Sequence, residues 1–143
     1  RPYPTKEFTW YNVPKILKKN FKDIEFSSHK LLKDITSTKL VIFLNHHSTG
    51  HLEMISMNYP CIYINDKSID FKKFYLKDLK KLKKRNLYFD NYSEAQDFIN
   101  KKYNNLDKWW SHASVQRTIN YFKNKYSRDP KNKLSILKKI LVN

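Results

Sequence analysis

A short polar segment between two apolar runs contains the residue types best suited to chemistry. Ser48 and Thr49 directly precede the only glycine of the chain, Gly50, and the acidic residue Glu53 follows three positions later. Hydroxyls and backbone N–H groups at the start of a helix bind phosphate, and a carboxylate one turn later accepts hydrogen bonds from ribose hydroxyls. The spacing is equally compatible with a plain helix cap at Ser48 or Thr49 and a solvated Glu53.

Three histidines accompany this segment, namely His46, His47 and His51. His47 and His51 are four residues apart, but the predicted boundary between loop and helix falls between them, so they need not share a helix face. A zinc site usually needs three protein ligands, and we predict no zinc site here. A histidine at a sheet edge can donate a hydrogen bond, place a cation beside phosphate or act as a general base. We predict His46 and His47 as the catalytic candidates.

Two predicted strands position this segment. Residues 40–44 and 61–64 are apolar and rich in β-branched side chains, and residues 51–58 carry apolar side chains at helical spacing. A strand, loop, helix and strand in this order predict a parallel pair with the loop at its carboxyl edge. Gly50 is expected either to turn with positive φ or to let a ligand approach the backbone closely. Cys61 should be a buried, unreactive thiol.

Strands and helices alternate along the remainder of the chain. We predict a helix after Asn12 with Pro14 in its first turn and Phe21 on its apolar side. Further elements are a strand at 23–26, a helix capped by Ser27 or Ser28, and a strand at 87–89. A helix capped by Ser93 with Gln96 continues through Tyr103 and Leu106 to Trp110, and another helix starts after Ser111. The predicted fold class is α/β, a Rossmann-like parallel sheet flanked by helices, formed by residues 1–143 as one domain with a helical C-terminal extension at 111–143.

The segment from Phe71 to Arg85 is predicted to form a basic amphipathic helix. Its predicted apolar face carries Phe71, Phe74, Tyr75, Leu79 and Leu82, and lysines fill the other positions. We expect this face to pack on the sheet, and the alternative is attraction of the helix to anionic lipids or acidic polymers.

Two adjacent tryptophans, Trp109 and Trp110, lie at the end of the predicted helix that Ser93 caps. Neighbouring residues point about 100° apart on a helix, so we expect one indole in the core and the other partly exposed. Core packing is preferred over base stacking for this pair.

The overall charge restricts the classes of partner. The formal net charge is +16 in 143 residues, with a pI near 9.8, which points to an anionic partner such as nucleic acid, a membrane surface or a phosphorylated ligand. No zinc finger, basic zipper or RNA-recognition motif occurs, so no specific nucleic acid is expected. No apolar run reaches the roughly 18 residues of a membrane span, so a cytoplasmic location is expected, with peripheral contact at the inner membrane face left open.

Residues 48–64 resemble the donor-binding segment of glycosyltransferases that have two Rossmann-like domains, the GT-B type. The chain resembles more closely a family of transferases from surface-polysaccharide gene clusters that is named after a locus tag. The residues that stand at the positions of its pattern are Arg1, Tyr3, Thr49, Gly50, Leu52, Glu53, Asn58, Pro60, Phe89, Asp90, Glu94, Ala95, Trp109, Trp110, Val115, Gln116, Phe122 and Tyr126. The chain departs from the pattern at Gly50, which replaces a hydroxyl residue, and at His46 and His47, where smaller or amide residues are expected.

The resemblance implies a nucleotide-sugar-dependent glycosyltransferase of polysaccharide or lipopolysaccharide synthesis. It implies that the chain is the donor-side, carboxyl-terminal half of a larger enzyme whose amino-terminal half binds the acceptor. Ser48, Thr49 and Gly50 would face the donor phosphates and Glu53 the ribose, with the nucleotide-sugar as substrate and no separate cofactor or metal. The alternatives are a non-catalytic basic module that binds nucleic acid or an anionic membrane, and a degenerate pseudo-enzyme.

Overall fold

The computed structural model describes residues 13–23, 25, 31–35, 37–44, 50–65 and 73–126. The chain divides into two compact units, residues 1–38 and 39–143. In the first unit the described residues form helices α1 (Val13–Asn20) and α2 (Leu31–Ile35), and Pro14 lies in the first turn of α1 as predicted. Phe21 was predicted to be part of the apolar face, but it follows the end of α1 and is 58% exposed.

One strand predicted in the first unit is only partly described. Asp23 lies in a turn and Glu25 has no regular structure, so a strand over 23–26 is wrong at these two positions. Ile24 and Phe26 lie outside the described residues, as do the two predicted helix caps, Ser27 and Ser28.

The second unit is an α/β fold with a parallel sheet, as predicted. Its described elements are β1 (Val41–Phe43), α3 (Gly50–Ser56), β2 (Cys61–Ile64), α4 (Lys73–Lys83), β3 (Tyr88–Phe89), α5 (Tyr92–Lys102), a 3₁₀ turn (Tyr103–Asn105), α6 (Leu106–Trp110) and α7 (Ala113–Tyr126). The three strands lie in the order β1-β2-β3, and both neighbouring pairs are parallel. Helices therefore connect consecutive parallel strands, and the part after β3 is mainly helical.

The central strand β2 explains the behaviour of the single cysteine. All four residues of β2 are buried, as expected of a strand covered on both faces. Cys61 is 4% exposed, and burial raises the pKa of its thiol to about 12. The thiol is therefore protonated near neutral pH, which agrees with the prediction that it is no nucleophile.

Helices α3 and α4 end in the same left-handed turn, formed by an asparagine in each case. Asn58 has φ 55° and Asn86 has φ 57°. After α3, the Tyr59 N–H donates to the Met54 carbonyl at 2.8 Å and the Asn58 N–H to the Ile55 carbonyl at 3.1 Å. This pair of bonds defines a Schellman motif, and the equivalent pair closes α4 around Asn86. Gly50 has no positive φ because it is already the first residue of α3, so the predicted turn with positive φ is wrong, whereas the alternative, a close approach of a ligand to the backbone, stays a prediction.

Replacing Asn58 tests this left-handed turn. Asn58→Val should lower the free energy of unfolding by about 1–2 kcal/mol, because a β-branched residue resists positive φ. Asn58→Gly should change it by less than about 0.5 kcal/mol, since glycine adopts this conformation freely. Urea unfolding followed by circular dichroism measures both values. Equal stability of the two variants would contradict the left-handed assignment.

Both tryptophans are buried, so the prediction that one is partly exposed was wrong. Trp109 is 8% and Trp110 is 7% exposed. The Trp109 indole N–H donates to the Arg85 carbonyl, and the Trp110 indole N–H to the Asn58 carbonyl, each at 3.1 Å. Because Asn58 and Arg85 lie in the turns that lead into β2 and β3, the two indoles fasten the short helix α6 to the amino edge of the sheet.

The buried face of α4 differs from the predicted one. Leu79 and Leu82 are buried as expected, but Phe74 is 68% exposed, and Phe71 lies outside the described residues. The buried residue one turn before Leu82 is the acidic Asp78, at 2% exposure. The prediction used only the spacing of apolar residues along the helix. It therefore assigned Phe74 to the buried face, because a carboxylate such as Asp78 is normally expected to face water.

The start and end of α5 also differ from the prediction. Asn91 is the N-cap, since its side-chain oxygen accepts the Glu94 N–H at 2.8 Å, so the capping box assigned to Ser93 and Gln96 was wrong by two residues. The 3₁₀ turn interrupts the predicted continuous helix, and Tyr103 is 54% exposed as a result.

Helices α6 and α7 contain the later part of the core. Leu106 on α6 and Val115, Ile119 and Phe122 on α7 are buried, as predicted. No helix among the described residues is long and apolar enough to cross a membrane.

Candidate functional site at the carboxyl edge of the sheet

Two of the predicted site residues lie at the start of α3. Gly50 is buried as its first residue, and Glu53 is exposed in its first turn. Because α3 follows β1, this start belongs to the carboxyl edge of the parallel sheet, where α/β folds bind nucleotides. His46, His47, Ser48 and Thr49 lie outside the described residues, and their roles stay predictions.

An aromatic row crosses the sheet beneath this helix. Phe43, Tyr63 and Tyr88 occupy paired register positions on the three strands, and the Tyr63 and Tyr88 ring centroids are 5.7 Å apart. His51 stacks on Tyr63 with centroids 5.1 Å apart and meets Phe43 edge-on at 6.3 Å. His51 therefore fixes the start of α3 against the sheet, a contact that histidine spacing alone does not predict.

The polar groups of this row are neutral. Burial raises the pKa of Tyr63 to about 12, with a further contribution from Tyr88. Burial also raises the pKa of Tyr88, whose hydroxyl accepts a hydrogen bond from the Asn65 amide at 3.2 Å. The hydroxyls are thus protonated near neutral pH and can donate hydrogen bonds, but they supply no phenolate base. The sequence analysis did not assign Tyr63, Tyr88 or Asn65 to the site. Asn65 could have been assigned, because it is a polar residue directly after an apolar strand.

A second polar cluster joins α4 to α7. The Asp78 carboxylate accepts hydrogen bonds from the Tyr121 hydroxyl at 2.8 Å, the Tyr126 hydroxyl at 2.6 Å and the Lys125 ammonium at 2.5 Å, and Lys81 lies 3.1 Å away. Burial opposes ionisation, yet the hydrogen bonds from Lys125 and the tyrosines outweigh it and hold the pKa of Asp78 well below its usual range. Because donors occupy both carboxylate oxygens, the cluster is a structural anchor and not a general base.

The described ranges contain no cluster of metal-ligating side chains. No group of three histidine, cysteine, aspartate or glutamate residues comes together there in a way that could hold a metal ion. His46 and His47 fall outside those ranges.

Comparison with known proteins places the chain in a family. A family model described as LIC12162 family transferase matches residues 1–141. The chain belongs to the LIC12162 family of transferases. No curated protein and no solved structure matches it.

In this LIC12162 family member, most of the described residues that carried the sequence resemblance are structural. The two tryptophans fasten α6, and the Gln116 amide donates to the Trp110 carbonyl at 2.8 Å. Phe122 is fully buried, and Tyr126 binds the anchoring carboxylate. Glu53 differs from these residues, because its exposed carboxylate forms no hydrogen bond or ion pair with the part of the chain that the structure describes. Glu53 is therefore free to meet a ligand.

Proposed function

We propose that the chain binds the donor of a nucleotide-sugar-dependent glycosyltransferase of the GT-B type. The observation that supports this most is the parallel crossover from β1 through α3 to β2. Its strand β1 ends at Phe43 and its helix begins at Gly50, so the polar segment 45–49 connects these two ends. Membership of a transferase family supports transfer of a group from a bound donor.

Each predicted residue has a distinct task in this proposal. The hydroxyls of Ser48 and Thr49 and the backbone N–H of Gly50 bind the donor diphosphate, and the Glu53 carboxylate accepts hydrogen bonds from the ribose. When the bond between sugar and phosphate breaks, negative charge grows on the leaving nucleotide diphosphate. The hydroxyls and the backbone N–H stabilise this charge by donating hydrogen bonds to it.

The acceptor hydroxyl must lose a proton as it attacks the sugar. The amino-terminal half of the larger enzyme activates this hydroxyl, and His46 or His47 donates a hydrogen bond, places a cation beside the phosphate or acts as a general base. The acceptor binds to an amino-terminal domain of the larger enzyme, which assembles a surface polysaccharide or lipopolysaccharide at the cytoplasmic side of the membrane. The nucleotide-sugar is a substrate, and no further cofactor takes part.

The Glu53→Gln variant tests the ribose contact. A hydrogen bond to a charged acceptor contributes about 1.5–3 kcal/mol, so donor affinity should fall roughly ten- to hundredfold. Ligand-observed NMR of the full chain with UDP, GDP, CMP and their sugar conjugates measures this affinity and identifies the base. Glu94→Gln is a matched control, because Glu94 is an exposed carboxylate in the first turn of α5. Equal affinities of the two variants would count against the role of Glu53.

The alternative of a basic membrane-binding module has one specific observation in its favour. Helix α4 exposes Phe74 at 68% and Leu76 at 43% beside the exposed residues Lys73 and Lys77. Binding to anionic vesicles that persists in high salt and falls in Phe74→Ala would favour this alternative. Binding that simply disappears as salt rises would indicate unspecific attraction.

A further inference from the structure

A cleft of about 450 Å³ opens beside the turn that leads from α4 into β3. Because that turn precedes the strand, the cleft lies at the amino end of β3, whereas the candidate donor site lies at the carboxyl edge of the sheet. Its walls come from this turn, the end of α5, α6 and the start of α7. A volume of this size is typical of sites for small molecules.

Cations dominate the lining of this cleft. Five come from three parts of the chain, namely Lys84, Arg85, Lys101, Lys102 and Lys108, and no acidic residue lines the cleft. None of the five forms an ion pair with any residue that the structure describes, although the lysines at 81, 83 and 125 do. Like charges gathered in one cavity repel each other, and a bound anion removes this cost.

The remaining walls offer an apolar surface and neutral donors. Trp109 and Val115 are buried residues of the lining, and the bond from the Trp109 indole to the Arg85 carbonyl holds the cationic turn against α6. The His112 Nδ1 accepts the Ser114 N–H at 3.3 Å and lies 2.8 Å from the Ser114 hydroxyl, and the amides of Asn86 and Asn105 also line the cleft. Such a lining suits an anion that carries an organic group.

We propose that this cleft binds a phosphate-bearing ligand, with Arg85, Lys102 and Lys108 neutralising phosphate oxygens. A phosphomonoester carries a charge of about −1.5 to −2 at pH 7, so five cations match one or two phosphate groups better than a single carboxylate. Arg85 can bind two phosphate oxygens at once. The cleft is separate from the donor site and does not depend on the proposed transferase activity.

Inorganic pyrophosphate is the probe that tests the cleft. In NMR of the full ¹⁵N-labelled chain at constant ionic strength, the amides of Lys102, Lys108 and His112 should shift on titration. The double variant Lys102→Gln/Lys108→Gln should weaken binding at these amides about tenfold or more. The double variant Lys19→Gln/Lys22→Gln, the control variant, removes the same charge from exposed positions that do not line the cleft and should weaken binding less than about twofold.

Two further results distinguish binding in this cleft from binding at the donor site and from a general effect of lowering the net charge. Pyrophosphate bound at the donor site would shift the amides of Gly50 and His51 instead, so either site can fail without the other. Unshifted cleft amides, or equal loss of affinity in both double variants, would overturn the proposal. If circular dichroism shows that the first double variant does not fold, Lys84→Gln/Lys101→Gln takes its place.

Vesicles that contain phosphatidic acid distinguish the source of the phosphate. Cosedimentation that Lys102→Gln/Lys108→Gln weakens and the control variant does not would assign the site to a lipid headgroup. Binding of pyrophosphate without cleft-dependent cosedimentation would assign it to a soluble phosphorylated compound. Cosedimentation equally weakened by both variants, together with unshifted cleft amides, would overturn a phosphate site.

Discussion

Replacing Phe122 by alanine is expected to lower the free energy of unfolding by about 3–5 kcal/mol, the range typical of large cavities in a packed core. Phe122 is fully buried, and its ring lies 6.4 Å from that of Tyr75, 5.7 Å from Tyr121 and 5.3 Å from Tyr126, measured between centroids. Removing the ring would cost its transfer from water and leave a cavity where α7 meets α4. Urea or thermal unfolding of the full chain measures the loss.

The Phe74→Ala variant is the matched control for Phe122→Ala. Phe74 is the same residue type, yet it is 68% exposed on α4. Its replacement should change the free energy of unfolding by no more than about 0.5 kcal/mol. A loss as large as that of Phe122→Ala would show that Phe74 is buried and would contradict the described packing of α4.

Replacing Asp78 by asparagine should lower the free energy of unfolding by roughly 2–3 kcal/mol at pH 7. The substitution keeps the volume but removes the charge, and it places an NH₂ group against hydroxyls and ammoniums that all donate to the carboxylate. Lys81 and Lys125 are 40% and 44% exposed and would regain water, so the two tyrosine hydroxyls account for most of the loss. Asp97→Asn, at an exposed position of α5, should have almost no effect.

The pH dependence of this difference follows from the lowered pKa of Asp78. An unfolded aspartate has a pKa of about 3.9, and the folded value lies below it. The stabilisation is therefore complete above the unfolded pKa and is lost as pH falls through the folded one. Unfolding of the wild type and Asp78→Asn at pH 7, 5 and 3 should give equal differences at the first two values and a smaller one at pH 3. A difference that stays constant down to pH 3 would contradict a carboxylate held ionised by its donors.

The fold class was predictable because it depends on short-range patterns. The apolar runs at 40–44 and 61–64 contain β1 and β2, with β1 one residue shorter at each end, and the helix between them begins at Gly50. The order strand, helix, strand then favours a parallel crossover, because this rule depends only on the order of the elements along the chain. The position of the candidate donor site follows from the same order, although four of its predicted residues lie outside the described part.

Partners far apart in sequence were not predictable. Asp78 is buried only because Tyr121, Lys125 and Tyr126 arrive from α7, more than 40 residues away. The choice of Phe74 for the buried face failed for that reason, since a lone carboxylate on a helix is normally expected to face water. The five cations of the cleft likewise come together only through the packing of α5 and α6 beside the turn after α4.

By itself, the sequence determined strands β1, β2 and β3, the parallel crossover, the buried thiol and the core positions of α7, because periodicity and local propensity act over a few residues. Tertiary structure decided that both tryptophans are buried, since each indole N–H needs a carbonyl from a distant turn, at Arg85 or Asn58. It also decided which carboxylate is an anchor and which is available to a ligand. Asp78 is surrounded by donors from another helix, whereas the exposed Glu53 meets none among the described residues, and only long-range packing makes that difference.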